Sequence, residues 1–390
     1  MANDKHIGPT EEEWEKLFGR ATKSAHDQFS SPETAPKERE VHHVRRRVRG
    51  VEVQERKQNP AYAFKLYDGD EIRKRCEAVK HQKDSQELQR CLAKMQMRSG
   101  LVHLIAQPEN YEGILSSLEK KYPHFCNVTG FLRNRMRLNA LKKYPVLNFG
   151  ANLLLNGPAG CGKSSFMIEL AESFDTKFLS LSTAAATNGF DLTGMSSGWA
   201  NGKAGKIQHV LANERCPNPI CLLDEIDKAG SENDKHNFTS ALYGLLEKNN
   251  AKKFKDEYVD VEIDASMINW FATSNDTSVM DSAILDRFKV LQVTAPTQQD
   301  LIKIIPQIFR QTIIEMELQE LFDTTLNDIV TKSLAAQSNI SIRLIKSALE
   351  SALANAAVRV KEGEGKVSLT AEDLPTDSVE PVKQKMGFIH

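Results

Sequence analysis

The 390-residue sequence predicts an α/β fold with a parallel sheet and flanking helices. A small all-helical domain follows it, and a mostly helical or disordered N-terminal region precedes it. Three observations carry this prediction. Between residues 122 and 300, apolar runs ("ANLLLN", "FLSLS", "PICLLDEI", "INWFATSN", "FKVLQVTAP") alternate with amphipathic segments. Strands separated by helical crossovers imply parallel pairing. From residue 301 to 378 the periodicity is helical instead, as in "LIKIIPQIFRQTIIEM" and "SIRLIKSALESALANAAVRV". Finally, the first apolar run leads straight into a glycine-rich turn and then a helical segment, "GPAGCGKSSFMIELAESF".

The N-terminal elements are less regular. Residues 1–70 are rich in charge, Pro and Ser and lack sustained periodicity, so a flexible segment is expected. Within it, "VHHVRRRVRG" concentrates Arg45, Arg46, Arg47 and Arg49. A solvated linker or strand edge is the favoured reading of that run, and a nucleic-acid or acidic-partner contact is the alternative. His42 and His43 are adjacent, a poor spacing for two ligands of one metal. Residues 71–121 form a helical arm with Ile72, Cys76 and Val79, then Leu88, Leu92 and Met95, on a repeating face. That face suits either a partner-docking helix pair or packing against the next domain. Residues 379–390 read as a tail.

Composition excludes several function classes. With 40% hydrophobic residues the chain can bury at least one full core. The 51 basic and 52 acidic residues leave a net charge of -1, so no global field attracts nucleic acid or an anionic membrane. No apolar run approaches bilayer-spanning length, and the N-terminus lacks a signal-peptide core. The six cysteines include no Cys-x-x-Cys pair, and a reducing, cytoplasmic setting is expected.

The chemistry lies in five short stretches. "GPAGCGKSS" fits G-x-x-x-x-G-K-[ST], the phosphate-binding P-loop. Gly157, Gly160, Cys161 and Gly162 turn consecutive backbone N–H groups toward a phosphate, and the following helix N-terminus adds partial positive charge. Lys163 would neutralise the β- and γ-phosphates of ATP. Ser164 would ligate Mg²⁺, with Ser165 beside it in the first helical turn. "PICLLDEIDKAG" is a buried strand delivering Asp224 and Glu225 to its C-terminal end, where open α/β sheets bind ligands. Asp224 would hold Mg²⁺ through its water shell, and Glu225 would polarise the attacking water. Asn275 ends the strand "INWFATSN", where an amide can hydrogen-bond the γ-phosphate or the water. Arg287 in "SAILDRFKV" has the position of a finger reaching a neighbouring subunit's ATP. Arg343, at the start of a helix in the C-terminal helical domain, could close over the nucleotide.

These pieces, in this order, resemble the AAA+ ATPases. "GPAGCGKSS" looks like their Walker A and "CLLDEID" like their Walker B. Asn275 looks like sensor 1, Arg287 like the arginine finger and Arg343 like sensor 2. Finer detail resembles the ATPase module of Lon proteases. "NPICLLDEIDKAG" is similar to Lon's extended Walker B. "KKFKDEYVDVEIDAS", with Phe254, Asp256, Tyr258 and Asp264, is similar to the insert Lon carries before sensor 1. "VSLTAEDL" looks like the end of Lon's ATPase segment. The resemblance covers roughly residues 122–375. It departs at sensor 2, where Ser341-Ile342-Arg343 stands in place of Gly-x-Arg, and in the first 120 residues, which do not resemble Lon's N-domain. About fifteen residues follow Leu374, so a stand-alone ATPase without the protease domain is expected.

The resemblance implies a homo-oligomeric, hexameric ring that remodels, unfolds or threads a protein client without cleaving it. The alternative is a nucleotide-gated assembly switch or DNA-associated ATPase using the basic N-terminal run. "GMSSGWANGKAG" bears on the choice. Trp199 and Ala200 fall where Lon-like ATPases place an aromatic and a small apolar residue to grip a threaded chain. The competing expectation is that Trp199 folds back onto its own domain.

Overall fold

The computed structural model describes residues 60–81, 86–183, 189–199, 201–229, 238–336, 341–360 and 365–375. Its centre is a five-stranded parallel sheet. The strands are β3 (Leu153–Asn156), β4 (Phe178–Ser182), β5 (Ile220–Asp224), β8 (Asn269–Ser274) and β9 (Lys289–Gln292), ordered β4-β5-β8-β3-β9. β8 and β5 are the two longest runs buried on both faces, which is why they read as near-continuous apolar stretches. Side-chain alternation divides them between two cores. Leu154, Cys221, Leu223, Trp270 and Ala272 face one; Leu153, Leu155, Ile220, Leu222 and Phe271 face the other.

The second core is closed by helices α3 (Tyr111–Lys121), α4 (Cys126–Ala140) and α5 (Lys163–Ser173). Its centre is aromatic: Phe125 stacks on Phe166 at 4.5 Å between ring centroids, and Phe149 meets Phe174 and Phe271 edge to face.

The first core is closed by the N-terminal arm, α1 (Gly69–Val79) and α2 (Gln86–Met97), together with α6 (Phe238–Leu246). Ile72, Val79, Leu88, Leu92 and Met95 are buried in the same cluster as Leu154, Leu223 and Trp270. The arm's apolar stripe is therefore spent inside the domain, which decides between the two uses its periodicity allowed. A two-stranded antiparallel ribbon, β1 (Ala63–Lys65) with β2 (Leu101–His103), ties the two ends of the arm together. β1 and the start of α1 thus precede residue 71. Three residues paired across a long separation leave no periodic trace in sequence.

A second ribbon, β6 (Phe254–Lys255) with β7 (Glu262–Ile263), immediately precedes β8. Three helices, α7 (Gln298–Glu315), α8 (Asp328–Ala335) and α9 (Ile342–Ala356), enclose a third core that includes Leu301, Ile305, Phe309, Val330, Leu334, Ile345, Leu349 and Leu353. α7 opens with a capping box between Thr297 and Asp300, and the Oγ of Ser341 caps α9 by accepting the Leu344 N–H. No described helix is long and apolar enough to cross a membrane.

Candidate functional site

The C-terminal ends of β3, β5 and β8 converge on one locus. After β3 the chain turns through Gly160 (φ 73°) and Gly162 (φ 93°) into α5. Both angles lie in the left-handed region that glycine tolerates. Space is also short: a Cβ on Gly160 would sit 2.9 Å from Ser341 Cβ. The Ile342 N–H donates to the Gly160 carbonyl at 3.1 Å, so the first turn of α9 rests directly on this loop. Arg343 in that turn is exposed, and its Cβ would lie 3.8 Å from a Gly160 Cβ. Ser341-Ile342-Arg343 therefore places all three residues against the loop.

Lys163 is buried, with 8% of its surface exposed. Its Nζ donates to the carbonyls of Gly157 (2.7 Å) and Pro158 (3.0 Å) and to Asn275 Oδ1 (3.0 Å). Burial lowers its pKa, and Cys161, Asp227, Asp224 and Glu225 act against that shift. Cys161 turns its side chain into the second core, where burial pushes its thiol pKa up. Its carbonyl meets His124 Nε2 at 2.8 Å. Burial lowers the His124 pKa, which favours a neutral ring in that contact. Ser165 is exposed in the first turn of α5.

Ser164 Oγ donates to both carboxylate oxygens of Asp224, at 3.0 and 3.1 Å. Thr273 Oγ1 donates to Asp224 Oδ1 at 2.6 Å and accepts from the Glu225 N–H at 2.9 Å. Thr183 Oγ1 donates to the backbone carbonyls of both Asp224 and Glu225. Strands β4 and β8 thus hold the end of β5 from either side. Glu225 is left-handed (φ 57°, ψ 49°), a conformation that costs a non-glycine residue about 1 kcal/mol or more. The two threonines stabilise that conformation. The Glu225 carboxylate pairs with Lys228 at 2.6 Å.

A hydroxyl and a carboxylate that already touch are the oxygen donors Mg²⁺ takes when phosphates and waters supply the rest of its shell. These residues fit the ion: Ser164 and Asp224 would hold it, and it would neutralise phosphate charge.

Arg287 lies elsewhere. Its Nη1 donates to the Ala283 carbonyl at 2.6 Å, its Nη2 is 3.8 Å from Glu247, and the guanidinium covers the Tyr243 ring at 5.1 Å. Lys289 is level with Leu153 and Gln292 with Asn156, so Arg287 is at the sheet end remote from Gly157.

Trp199 is 69% exposed at the tip of a small hairpin bridged by Met195 and Lys203. It does not fold back onto its domain, and Ala200 lies outside the described residues. One stem of the hairpin is held by Asp256, which is fully buried in the loop between β6 and β7. Its carboxylate accepts the N–H groups of Gly205 (2.7 Å), Tyr258 and Val259 (3.0 Å each). Gly194, on the other stem (φ 81°), leaves no room for a Cβ, which would sit 2.8 Å from either Asp256 oxygen. Phe254 and Tyr258 are buried beside it, and the Asp264 N–H donates to the Leu66 carbonyl of the arm at 2.7 Å.

Burial raises the Asp256 pKa from 3.8 to about 6, against the lowering effect of its N–H donors. A carboxyl whose folded pKa exceeds its unfolded value contributes stability that is complete below the unfolded value and lost as pH rises through the folded one. The stability of the wild type relative to Asp256→Asn is therefore expected to fall by on the order of 3 kcal/mol between about pH 4 and pH 7.5. Denaturant titrations of both proteins at several pH values measure this, and a difference constant with pH would contradict it.

Sequence reasoning missed Thr183, Thr273, Asp227 and His124. Asp227 carried a faint signal, standing three residues after Asp224 in an already acidic motif. The threonines carried none, since register alone sets Thr273 beside Asp224.

Residues 153–294 match the family model described as "ATPase family associated with various cellular activities (AAA)". Among curated proteins, the chain is 33% identical over 157 residues to a Lon protease of Mycoplasma genitalium, covering 40% of this chain and 20% of that protein. It is 34% identical over 160 residues to a Lon protease of Fusobacterium nucleatum, covering 41% and 21%. A mitochondrial Lon protease homolog of Yarrowia lipolytica matches at 27% over 240 residues, 60% of this chain and 20% of that protein. The chain thus spans about a fifth of the length of these relatives. The P-loop, the five-stranded parallel sheet and these matches lead to one conclusion: the chain carries an AAA ATPase domain similar to the ATPase module of Lon proteases.

Proposed function

We propose that the protein is an ATP-hydrolysing ring motor that remodels, unfolds or threads a protein client. The observation that carries the hydrolytic part is the convergence, at the ends of three strands, of two hydrogen-bonded pairs, Lys163 with Asn275 and Ser164 with Asp224. In this reading the backbone of residues 157–164 cradles the phosphates and Lys163 neutralises them. Glu225 takes a proton from the attacking water. Asn275 orients the γ-phosphate, and Arg343 closes over the nucleotide with α9. When bound, Mg²⁺ adds charge neutralisation at the phosphates.

Arg287 acts on the site of an adjacent copy, which makes a closed ring of this chain, hexameric by its likeness to AAA+ proteins, the working assembly. The setting is cytoplasmic. No peptide hydrolysis is assigned to these residues.

A protein client is favoured over nucleic acid because an exposed tryptophan at a hairpin tip offers sequence-tolerant apolar grip, and the net charge of -1 offers no field for a polyanion. The basic run around Arg45–Arg49, on which the DNA-associated alternative rests, lies outside the described residues. The test is stimulation of ATP turnover by casein, an unfolded protein, against stimulation by duplex DNA. Casein alone should raise turnover, and a response to DNA alone would overturn the reading.

Trp199→Ala sharpens the test. An exposed side chain costs little to remove, so the thermal midpoint should be unchanged within the effect of about 0.5 kcal/mol typical of surface substitutions. Basal turnover should persist while casein stimulation is lost. Retained stimulation would remove Trp199 from the client role.

A further inference from the structure

We propose that Asp227 is a positioning residue for ATP hydrolysis, acting through the loop that carries Asn275. The inference rests on the hydrolytic site described above and adds a residue to it. Asp227 lies in the 3-10 turn Ile226–Lys228 that follows β5. Its Oδ2 accepts the backbone N–H groups of Asn275 (3.0 Å) and Asp276 (3.3 Å), at the end of β8. This is no local turn contact: it joins the ends of two neighbouring strands across 48 residues of sequence. Asn275 in turn presents its Oδ1 to Lys163 Nζ at 3.0 Å. A continuous chain of hydrogen bonds therefore runs from the turn after Glu225, through Asp227 and Asn275, to the phosphate-binding lysine.

Two further features separate this from ordinary turn chemistry. The Asp276 side chain is already used locally, accepting the Ser278 N–H at 2.9 Å, so it does not hold the preceding backbone. Asp227 uses only one oxygen on the loop, and its Oδ1 is buried with no hydrogen-bond partner among the described residues. A carboxylate kept only to satisfy backbone donors gains nothing from a second, desolvated oxygen. The same carboxylate offsets part of the burial penalty on Lys163, ahead of Asp224 and Glu225. Without Asp227 the Asn275 and Asp276 N–H groups lose this acceptor, and the Asn275 amide is released from its set orientation. Nucleotide affinity, which comes from the residue 157–164 backbone and Lys163, is largely untouched. The loss falls on the chemical step, where misplacement of about 1 Å is costly.

The test is steady-state ATP hydrolysis by the full chain carrying Asp227→Ala, Asp227→Asn, Asn275→Ala, or Asp227→Ala with Asn275→Ala. Thermal midpoints are recorded for each. Asp227→Ala is expected to lower kcat by about tenfold or more, with KM for ATP within about twofold of wild type. The double variant should be no slower than Asn275→Ala, because both substitutions break one chain. Asp227→Asn keeps an oxygen that accepts both N–H groups, so it should recover kcat to within about threefold of wild type.

Multiplicative effects in the double variant would overturn the proposal. So would a kcat within twofold of wild type for Asp227→Ala, or a folded Asp227→Asn as slow as Asp227→Ala. If Asn275→Ala itself left turnover unchanged, the reading of the site would fail. If Asn275→Ala were slow while Asp227→Ala were not, only this inference would fail.

Discussion

Glu225→Gln is expected to bind ATP with near wild-type affinity and to hydrolyse it about 10²- to 10⁴-fold more slowly, the range set by losing a general base. The reason is positional. Glu225 is held left-handed at the end of β5 by Thr273 and Thr183, and its carboxylate pairs with Lys228 instead of with the phosphate-binding loop. Glutamine keeps the size and the backbone contacts and loses the charge and with it the ability to accept a proton. The Lys228 pair is half-exposed on both sides, so its loss should barely change stability. Phosphate release and direct binding of a fluorescent ATP analogue separate the two effects. Unchanged turnover would remove Glu225 from the base role. If the variant also retains its assembly in ATP, co-purification from its own cells would capture the client.

If Arg287 acts as the proposed finger, Arg287→Ala is expected to lower turnover by about 10³-fold or more while sparing nucleotide binding, the scale an arginine finger supplies. Geometry excludes action on its own site. Arg287 precedes β9, at the sheet end remote from Gly157, and strand rise alone separates the two by roughly 13 Å or more. Its present partners are Ala283, Glu247 and the Tyr243 ring. Mixing Arg287→Ala subunits with Lys163→Ala subunits should restore turnover, because an intact loop on one copy then meets an intact finger on the next. No recovery at any mixing ratio would contradict an action between copies.

Much of the domain was legible in sequence because its signals are local. β3, β5 and β8 are buried on both faces and so read as unbroken apolar runs, and each ends at a residue of the site: Gly157 follows Asn156, Glu225 follows Asp224, Asn275 follows Ser274. The helices α7 and α9 announced themselves by 3.6-residue periodicity. The arm's stripe was equally clear, yet its destination was not: periodicity says that Leu88, Leu92 and Met95 face something apolar, not which surface that is.

The sequence by itself thus determined the class of chemistry, since phosphate binding needs glycines, a lysine and a hydroxyl at consecutive positions of one turn. It also determined the order of the strands' business ends along the chain. Only the tertiary structure decided which side chains meet across strands. Thr183 and Thr273 fix Glu225, Asp227 reaches the Asn275 backbone, and Asp256 holds the Gly205 stem of the Trp199 hairpin and packs against Gly194 on the other. Those contacts depend on register and crossover between segments tens of residues apart, which leave no period in the chain. Exposure of Trp199 belongs to the same class. A glycine-rich run permits a tryptophan to lie on either side of the surface, and only the folded hairpin shows it outside.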